Sequence, residues 1–575
     1  MRLKRLAVRN FRNLRDIDIA LEPGTVIVGE NRSGKSNLLH ALRLVLDASL
    51  PNSDRHLTPE DFSDELSDGD LDPMADGEVI EIIAEFADFE NDALSLTAVS
   101  EALVEDDPST ARLTYRFAPR DVPEGIDATG TPYRWQILGG SEPTQTPISN
   151  DLRGYLHLAF LGALRDAERD LAVWRRSPLR PLLEAAAAGA STDELSRAKE
   201  AIEDANAVLT SLAGIGDLAD AITAKTDVMV GKNQTLDVSL GTGPADPLRL
   251  LRTLRLFVDG EARRPLTSTS LGALNVLYLA LLELDLEARV EDRDLAHLVL
   301  AIEEPEAHLH PHLQRLVFRR LLRPDETQSV LLTTHSPHVA SVAPARSLVV
   351  LRGDGRTTTA FAAATADLED AEWDDVERYL DATRAELVFA RGVLFVEGYA
   401  EQVLVPRLAK TLKFNLDKRG VTVCAIHGTH FEPYVRFAQA LGIRWAVVTD
   451  GDPDADGDLA GEARARRLLE ALDIDEDEDP ADHGVFVGAT TFEYDVYTSS
   501  TTNKTLCRRV LAGLASAQTK RTIEGWASTE ADVSGYLRVI ANVGGKGRAA
   551  QQLATAGLEP PEYVADAIRH VASNA

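Results

Sequence analysis

A glycine-rich loop near the N-terminus has the residue types and spacing of a phosphate-binding site. Residues 29–36 read Gly-Glu-Asn-Arg-Ser-Gly-Lys-Ser and lie between an apolar strand pattern and a helical pattern. The glycines let backbone N–H groups turn inward around a β-phosphate, and the start of the helix adds partial positive charge. The lysine of such a loop reaches the β- and γ-phosphates, and the serine hydroxyl binds Mg²⁺. We therefore predict an ATP site formed by Gly29, Asn31, Ser33, Gly34, Lys35 and Ser36, with Ser36 also a Mg²⁺ ligand.

Two adjacent carboxylates in the middle of the chain could complete this site. Glu303 and Glu304 end the apolar run 298–302, and His335 ends a second apolar run at 330–334. A core strand followed by a charged loop is the commoner meaning of such a run, so the pair gains its significance from the phosphate loop. With that loop present, we predict that Glu303 holds Mg²⁺, that Glu304 polarises the attacking water and that His335 contacts the γ-phosphate.

The second half of the chain places more acids after strand patterns. Glu397 follows the apolar run 392–396 and Glu401 comes one helical turn later, while Asp450 and Asp452 follow the run 444–449. Each acid alone suits an acidic turn. Carboxylates that converge on one sheet edge, however, repel one another unless divalent cations neutralise them. We therefore predict a metal site at this edge.

Two further residues could serve that site. Glu493 offers another carboxylate, and Lys546 lies in a flexible glycine setting within Gly-Gly-Lys-Gly-Arg. A lysine there is usually only exposed, but beside bound metal it can stabilise charge that develops on a phosphate.

Hydrophobic periodicity predicts the elements that must position these residues. Strands are expected where apolar residues alternate or run together, and loops where the chain turns polar. Apart from the runs above, strands are predicted within 3–11, 17–21, 79–86, 111–117 and 252–258, and loops at 52–78 and 119–148. A helical stretch at 376–389 is predicted to link two domains.

Between 151 and 226 the apolar period becomes helical. Ser191 and Glu194 form a capping-box pattern, and an apolar stripe with steps of three and four follows from Leu195 to Leu212. The stripe could pack on its own domain or form a helical arm at a homodimer interface. It is too short for a sustained coiled coil.

Composition limits the possible classes of protein. The 575 residues include only two cysteines and carry a net charge of −32. The scarcity of cysteine favours a reducing cytoplasm, and neither a signal peptide nor a membrane span is expected. The charge argues against bulk electrostatic binding of nucleic acid, so contact with DNA would need local basic strips. The candidates are Arg464, Arg466, Arg467, Arg508, Arg509, Lys520, Arg521, Lys546 and Arg548, while Arg252, Arg255, Arg263 and Arg264 suit the ATPase surface better.

The first half resembles the ABC-type ATPases of the SMC and RecF kind. The resemblance rests on the loop at 29–36, the acids at 303–304, His335 and a degenerate signature with Ser270 and Gly272 ahead of a helix. It implies that two heads hold ATP between them, the signature of one facing the phosphate loop of the other. Glu303 in place of the usual Asp, and a signature without the Leu-Ser-Gly-Gly-Gln form, imply slow hydrolysis. Ser-x-Gly before a helix is also a common cap.

The second half resembles the Toprim fold, with its Glu after one strand and Asp-x-Asp after another. The order of motifs, together with the stretches 163–167 and 303–311, is similar to the OLD-family nucleases, which include the nuclease subunit of the Gabija phage-defence system. The resemblance implies two-metal DNA cleavage with Mg²⁺ or Mn²⁺, coupled to ATP, and a homodimer or tetramer formed through the helical insertion. A UvrD-like helicase partner is possible for such a protein. The metal ligands would be Glu397, Glu401, Asp450, Asp452 and Glu493, with Lys546 as the transition-state cation.

These inferences predict an α/β protein, an ABC-type ATPase head with an inserted helical dimerisation region, followed by a C-terminal Toprim domain. The expected boundaries are 1–160 and 246–375 for the head, 161–245 for the insertion and 376–575 for the Toprim domain. The leading hypothesis is an ATP-regulated DNA endonuclease in anti-phage defence. The alternative is a RecF/SMC-like DNA-binding ATPase clamp in DNA repair, with vestigial Toprim acids. A topoisomerase would need a tyrosine on a separate gate domain, for which no segment remains.

Overall fold

The computed structural model gives two compact units, one of residues 1–163 with 295–575 and the other of residues 164–294. It describes the chain except for residues 67–71, 121–131, 164–166, 175–176, 231–237, 243–245, 247–251, 253, 259–261, 292, 326, 354–355, 382–383, 455–458, 476 and 573–575. Leu164, Arg165 and Asp166, which belong to the stretch 163–167 quoted above, lie outside the described residues.

The strands are numbered in chain order. They are β1 Arg2–Phe11, β2 Leu14–Ala20, β3 Gly24–Gly29, β4 Ile80–Ala87, β5 Leu103–Val104, β6 Asp107–Pro119, β7 Tyr133–Gly139, β8 Thr146–Pro147, β9 Leu156–Leu161, β10 Phe257–Val258, β11 Arg264–Pro265, β12 His297–Glu303, β13 Gln328–Thr334, β14 Leu348–Gly353, β15 Thr358–Ala362, β16 Gly392–Val396, β17 Val421–Ala425, β18 Arg444–Thr449 and β19 Val485–Val487.

The α-helices are identified by their residue ranges. They are Lys35–Leu46, Asn52–Arg55, Ala93–Val99, Asn150–Tyr155, Ala167–Ala172, Leu179–Ala188, Thr192–Thr210, Ala213–Val230, Leu271–Glu291, Pro311–Leu321, Pro337–Ala340, Asp370–Tyr379, Tyr399–Thr411, Glu432–Ala440, Ala460–Ala471, Phe492–Thr498, Thr501–Leu514, Ala517–Gly525, Val533–Asn542, Lys546–Leu553 and Glu562–Ala572.

The N-terminal half of the larger unit contains two sheets. Within the described residues, β2-β1-β4-β6-β7-β8 form an antiparallel sheet with β5 beside β6, and β15-β14-β3-β13-β12-β9 form a second sheet that is parallel except for β15. Every residue of β3 is buried, as expected for a central strand covered on both faces. One apolar core, with members from Met1 to Ala362, includes the buried face of the helix Lys35–Leu46.

The C-terminal part of the larger unit has a parallel sheet in the order β17-β16-β18-β19, as far as the described residues show. All five residues of β16 are buried. Because parallel strands end at the same edge, the residues that follow β16 and β18 meet there. The helices from Phe492 to the C-terminus, together with the helix Tyr399–Thr411, build the core around this sheet.

The smaller unit is mainly helical. Ser191 and Glu194 form the predicted capping box of the helix Thr192–Thr210, which has no buried residue. Leu209 and Leu212 are more than half exposed, so the apolar stripe is not packed away inside its own unit. Among the described residues no single helix is long and apolar enough to cross a membrane, although the bent pair Thr192–Thr210 and Ala213–Met229 passes that test by length and composition.

Several predicted elements are confirmed, and five need correction. The loop predicted at 52–78 begins with the short helix Asn52–Arg55, and the helical stretch predicted from 151 to 226 contains the strand β9. The strands at 3–11, 17–21, 79–86 and 111–117 are present. The loop at 119–148 is wrong for β7, which pairs with β6 through Phe117 and Trp135. The strand predicted at 252–258 is confined to Phe257–Val258 among the described residues, and the helix predicted at 376–389 is a helix ending at Tyr379 and a 3₁₀ turn at Arg384–Phe389. Tertiary pairing decides that β7 forms, and local patterns do not show such pairing.

Candidate active sites

The phosphate-binding loop is a strand–loop–helix, as predicted. It runs from the end of β3 to the helix Lys35–Leu46, and Gly34 takes the left-handed conformation with φ of 89°. A Cβ on Gly29 would lie 2.6 Å from the Leu351 carbonyl oxygen, so the loop needs glycine at both positions. The Lys35 ammonium group donates to the backbone oxygens of Gly29 and Glu30 at 3.0 and 2.9 Å.

Several polar groups of the loop are placed to receive an anion. The helix that begins at Lys35 has no side-chain cap, which leaves its first N–H groups facing the loop. Within the described residues, the buried Ser33 hydroxyl has no hydrogen-bond partner. Burial lowers the pKa of Lys35, while Glu304 and Glu303 oppose that shift. Asn31 is exposed at the rim.

The acids after β12 meet this loop. The Ser36 hydroxyl donates to Glu303 Oε1, which places the two predicted Mg²⁺ ligands in contact. Glu304 Oε1 lies 3.4 Å from His335 Nε2, and the Glu304 backbone has a left-handed φ of 43°. Both side chains are partly exposed, so solvent reaches the site where the attacking water would bind.

His335 is held in place by a residue that sequence reasoning passed over. Glu306 Oε1 accepts hydrogen bonds from the Thr334 hydroxyl and the His335 backbone N–H at 2.7 and 2.8 Å. Burial, assisted by Lys35, lowers the pKa of His335, although Glu304 opposes the shift. His335 is therefore neutral near pH 7 and can donate or accept one hydrogen bond. The sequence offered one sign of this role, since Glu306 is the third acid within residues 303–306.

The predicted signature residues lie in the smaller unit. Ser270 Oγ accepts from the Ala273 backbone N–H at 3.3 Å, so Ser270 caps the helix Leu271–Glu291, which contains Gly272. This contact agrees with the commoner meaning of Ser-x-Gly. The role of both residues toward a nucleotide stays a prediction.

The second site lies at the edge where β16 and β18 end. Glu397 Oε1 accepts from the Thr449 hydroxyl at 2.5 Å and from the Asp450 backbone N–H at 2.9 Å, which ties the two strand ends together. Asp450 in turn accepts from the Phe492 N–H at 2.8 Å. That bond joins the helix Phe492–Thr498, and with it Glu493, to the same edge. Glu401 lies close enough to Glu493 and Glu397 for their charges to raise its pKa, and Asp452 shares the Arg464 guanidinium group with Glu397, so all five predicted acids lie at this edge.

Two of these acids are buried in a way that disfavours their charge. Glu401 and Asp450 are only 5% and 7% exposed. Burial, with the charge of Glu493, raises the pKa of Glu401 to about 7, and burial, with the charges of Glu397 and Glu401, raises the pKa of Asp450 to about 8. Raised pKa values of clustered carboxylates at a sheet edge are typical of a functional site in which a bound cation would stabilise the ionised acids.

Lys546 supplies part of that charge. Its Nζ lies 3.0 Å from Glu493 Oε2. Neither Glu493 oxygen accepts a well-directed hydrogen bond from any described residue, although both are buried. Partial burial lowers the pKa of Lys546 and the charge of Glu493 raises it, and the net shift is upward. Lys546 is therefore a fixed cation at the edge of the site.

The carboxylates converge without forming a finished ligand cage. Within the described residues, no group of three or more His, Cys, Asp or Glu side chains is arranged to hold a metal ion. Glu397 faces hydrogen-bond donors, Glu493 faces Lys546, and Asp452 Oδ2 lies 3.0 Å from Arg464 Nη2. Binding a cation would therefore require these side chains to turn.

The basic residues proposed for DNA contact fall into two groups. Arg464 is not a surface residue, because its side chain is only 17% exposed and points into the acidic site. Arg508 donates to the Trp526 carbonyl oxygen at 2.9 Å. The residues that remain exposed are Arg466, Arg467, Arg509, Lys520, Arg521, Lys546 and Arg548. Arg252, Arg255, Arg263 and Arg264 are exposed on the smaller unit.

Sequence reasoning also missed the role of Asp495, two residues after Glu493. Asp495 accepts hydrogen bonds from the Ala489 N–H at 3.0 Å and the Thr490 hydroxyl at 2.6 Å. It therefore shapes the loop that packs against Gly451, whose Cβ would lie 2.3 Å from the Gly488 carbonyl oxygen. Asp495 supports the site from behind.

Comparison with known proteins finds relatives that align with most of the chain. Endonuclease GajA of Bacillus cereus is 22% identical over 477 residues, which cover 79% of this chain and 75% of GajA. The OLD nuclease of Thermus scotoductus is 28% identical over 470 residues, or 78% of this chain and 82% of that protein. Among solved structures, the C-terminal region of the Burkholderia pseudomallei OLD protein is 32% identical, with a TM-score of 0.30, over 32% of this chain and 98% of its own.

Two family matches cover most of the chain. Residues 25–341 match the family described as "AAA domain, putative AbiEii toxin, Type IV TA system". Residues 388–452 match the family described as "Overcoming lysogenization defect protein-like, TOPRIM domain". The order of the two matches is the order predicted from the motifs. The chain therefore belongs to the AAA-domain family of the first match, which spans more than half of it, and a segment that matches the OLD-like Toprim domain follows the ATPase head.

Proposed function

We propose that this chain is a divalent-metal-dependent DNA endonuclease that ATP regulates. The observation that carries the proposal is the convergence of Glu397, Glu401, Asp450, Asp452 and Glu493 on one sheet edge, with Lys546 Nζ 3.0 Å from Glu493. The names of the relatives, an OLD nuclease and an endonuclease, support the same activity.

The residues present fit Mg²⁺ or Mn²⁺. Neither oxygen of the buried Glu493 accepts a well-directed hydrogen bond from a described residue, and burial disfavours the charge of Asp450 and Glu401. Hard divalent cations prefer such carboxylate oxygens. Two bound cations would activate water and stabilise the leaving oxygen of a phosphodiester. The cations would be bound by Glu397, which follows β16, by Asp450 and Asp452, which follow β18, and by Glu401 and Glu493.

Other residues of the chain set the geometry around the scissile phosphate. The Thr449 hydroxyl and the Asp450 N–H fix the orientation of Glu397. Lys546 lies on the helix Lys546–Leu553 with its side chain half exposed, so its ammonium group can reach a phosphate oxygen as negative charge develops there. The exposed arginines and lysines of the C-terminal part of the chain would offer the local contacts that a chain of charge −32 needs.

The ATPase head would act as the regulator. The loop at 29–36 and Lys35 would hold the phosphates of ATP, while Ser36 and Glu303, already in contact, would hold Mg²⁺. Glu304 would polarise the attacking water and His335 would contact the γ-phosphate. Ser270 and Gly272 would complete the site of a second head, which requires a homodimer or tetramer.

Plasmid cleavage tests the nuclease directly. We expect the wild type to nick or cut supercoiled DNA with Mg²⁺ or Mn²⁺, and to stop when a chelator is added. Glu397→Gln should abolish cutting, whereas Glu470→Gln, an exposed acid of the same domain, should cut like the wild type. If the wild type cuts nothing but binds DNA and ATP, the protein is a RecF/SMC-like clamp.

The coupling to ATP has its own test. Lys35→Ala should abolish nucleotide binding and leave the Toprim acids intact, because the hydrogen bonds of the lysine to described residues go to the backbone of the phosphate loop. Cleavage by the wild type should change with ATP concentration, and cleavage by the variant should not. Equal cleavage by both proteins at every ATP concentration would contradict regulation by ATP.

The resemblance to GajA extends the proposal to a cellular role. We propose a cytoplasmic protein of anti-phage defence, which agrees with two buried free cysteines. A UvrD-like helicase encoded by an adjacent gene would indicate a Gabija-type partnership, and its absence a stand-alone nuclease. Phage plating on cells that express the wild type or Glu397→Gln would test the defence role.

A further inference from the structure

Arg464 enters the acidic site from a helix that packs unusually close to it. The helix Ala460–Ala471 passes over the end of β18, and a Cβ on Gly461 would lie 2.2 Å from the Asp450 carbonyl oxygen. Gly461 therefore allows a close approach that other residues would block. One turn along the helix, the Arg464 side chain extends into the site and is only 17% exposed.

The guanidinium group makes four polar contacts there. Arg464 Nε donates to Thr449 Oγ1 at 3.2 Å, and Nη2 donates to the Asp450 backbone oxygen at 2.6 Å. The same Nη2 lies 3.0 Å from Asp452 Oδ2 and 3.4 Å from Glu397 Oε1. One cation thus contacts both strand ends and two of the five acids.

These contacts involve the oxygens that a metal ion would need. Glu397 Oε1 and Asp452 Oδ2 are carboxylate oxygens of the predicted ligand set, and in this arrangement Arg464 neutralises them. The other fixed cation, Lys546, contacts Glu493. Arg464 therefore contacts Glu397 and Asp452, and Lys546 contacts Glu493. Of these two cations, Arg464 is the one that contacts the Asp-x-Asp turn.

Asp452 is the member of the set that can move. Its side chain is 44% exposed, and its backbone has a left-handed φ of 47° in a turn after the strand. Its carboxylate bonds Arg464 through one oxygen at the solvent side. Rotation of this carboxylate would release it without disturbing the buried strand ends.

We propose that Arg464 is the resident counter-ion of the Toprim site. It holds Glu397 and Asp452 together in the absence of metal and gives up Asp452 when a divalent cation binds, while its bonds to Thr449 and the Asp450 backbone keep the strand ends in register. The inference rests on the proposed metal site. It makes Arg464 a positioning residue that competes with metal, whereas a merely structural residue would only support metal binding.

Removal of this charge should have two opposite effects. The acids would lose a competing cation, so the site should bind divalent cations more tightly, by roughly three- to tenfold for one partly solvated charge. The strand ends would lose their clamp, so cleavage at saturating metal should fall by at least about tenfold, because small displacements of ligands are costly to catalysis.

Mn²⁺ titration by calorimetry, without DNA, tests the first effect on the full-length protein. We expect Arg464→Gln to bind Mn²⁺ more tightly than the wild type, Arg464→Lys to bind like the wild type, and Arg467→Gln to be unchanged. Arg467 lies on the same helix, is exposed, and donates within that helix to the Ala463 carbonyl oxygen. Equal or weaker binding by folded Arg464→Gln would overturn the inference.

A second measurement needs no variant. In a crystal structure of the wild type with Mn²⁺, Asp452 Oδ2 should lie on the metal and no longer 3.0 Å from Arg464 Nη2. An intact Arg464–Asp452 pair beside bound Mn²⁺ would overturn the inference and leave the metal site standing. A wild type that binds no Mn²⁺ in either experiment would instead remove the proposed metal site.

Discussion

Glu30 of the phosphate-binding loop and Arg391, which directly precedes β16, form a two-point ion pair. Arg391 Nε and Nη2 lie 2.6 and 2.7 Å from the two carboxylate oxygens. The hydrogen bond lowers the pKa of Glu30 and raises that of Arg391. Alongside it, Arg352 of β14 donates to the Ala390 carbonyl oxygen at 2.7 Å. The loop that would bind ATP thus contacts the residue that directly precedes β16, the strand that Glu397 follows.

This pair gives a prediction about regulation. Both side chains are about half exposed, so the pair adds little stability, on the order of 0–1 kcal/mol. Its two parallel bonds instead fix the phosphate loop relative to the Toprim sheet. We expect Arg391→Met to keep its cleavage without nucleotide and its ATP binding, and to lose most of the response of cleavage to ATP. DNA cleavage over an ATP titration measures this response.

The matched control is Arg378→Met. Arg378 forms an exposed ion pair of the same kind with Asp375, at 2.6 Å, within one helix. This variant should respond to ATP like the wild type. An unchanged ATP response in Arg391→Met would show that the signal travels through another contact.

Glu304 is predicted to be essential for ATP hydrolysis and dispensable for binding. Its carboxylate lies 3.4 Å from His335 Nε2, whereas the Lys35 ammonium group bonds to the backbone of the loop that would hold the phosphates. Loss of a general base lowers rates by about 10²–10⁴-fold. Glu304→Gln should therefore release phosphate at least about 100-fold more slowly and bind a fluorescent ATP analogue like the wild type. Glu90→Gln, an exposed acid of the same unit, serves as the control, and normal hydrolysis by Glu304→Gln would move the role to Glu306.

Lys546 is predicted to act in cleavage and not in metal binding. Its ammonium group neutralises Glu493 without occupying a strand end, so its loss removes positive charge and no ligand. Lys546→Met should cut DNA about 10²–10³-fold more slowly, as for other lost electrostatic donors, with Mn²⁺ affinity equal to or above that of the wild type. Arg538→Gln, at an exposed position of the preceding helix Val533–Asn542, should change cleavage less than about twofold. Weaker Mn²⁺ binding by Lys546→Met would assign Lys546 to holding Glu493.

Local patterns were sufficient for the elements that carry the motifs. The loop at 29–36 could be placed between a strand and a helix because its glycine spacing reflects a backbone conformation that Gly34 adopts at the start of the helix. Asp450 and Glu397 could be placed together because parallel strands end at one edge. Both inferences depend on neighbours in sequence or on a general rule of sheets, so one chain is enough to make them.

Contacts over long separations could not be predicted in this way. Glu30 and Arg391 are 361 residues apart, and no periodicity links them. From the sequence, Arg464 was assigned to a basic strip. Its side chain points inward instead, and that direction depends on the close packing that Gly461 permits, which the sequence does not show. The strand β7 was missed because polar residues flank it in the sequence. Its stability comes from pairing with β6, which local patterns do not show.

The buried His297 predicts how stability depends on pH. It is fully buried on β12, its Nε2 lies 2.9 Å from Ser329 Oγ, and burial lowers its pKa from 6.5 to about 3. Below pH 6.5 the unfolded chain binds a proton that the folded protein cannot bind, so stability falls as the pH drops toward 3, by up to about 1.4 kcal/mol per pH unit. Between pH 7 and pH 5 this residue alone should cost about 2 kcal/mol.

Urea unfolding at pH 7 and pH 5 measures that cost. In His297→Gln, which keeps a polar group near Ser329, the difference between the two free energies of unfolding should shrink by about 2 kcal/mol, even if the variant is less stable at both values. His430→Gln removes an exposed histidine and should keep the wild-type difference. Equal differences in the wild type and His297→Gln would mean that His297 is protonated in the folded protein, because only a neutral buried ring produces this acid-side loss.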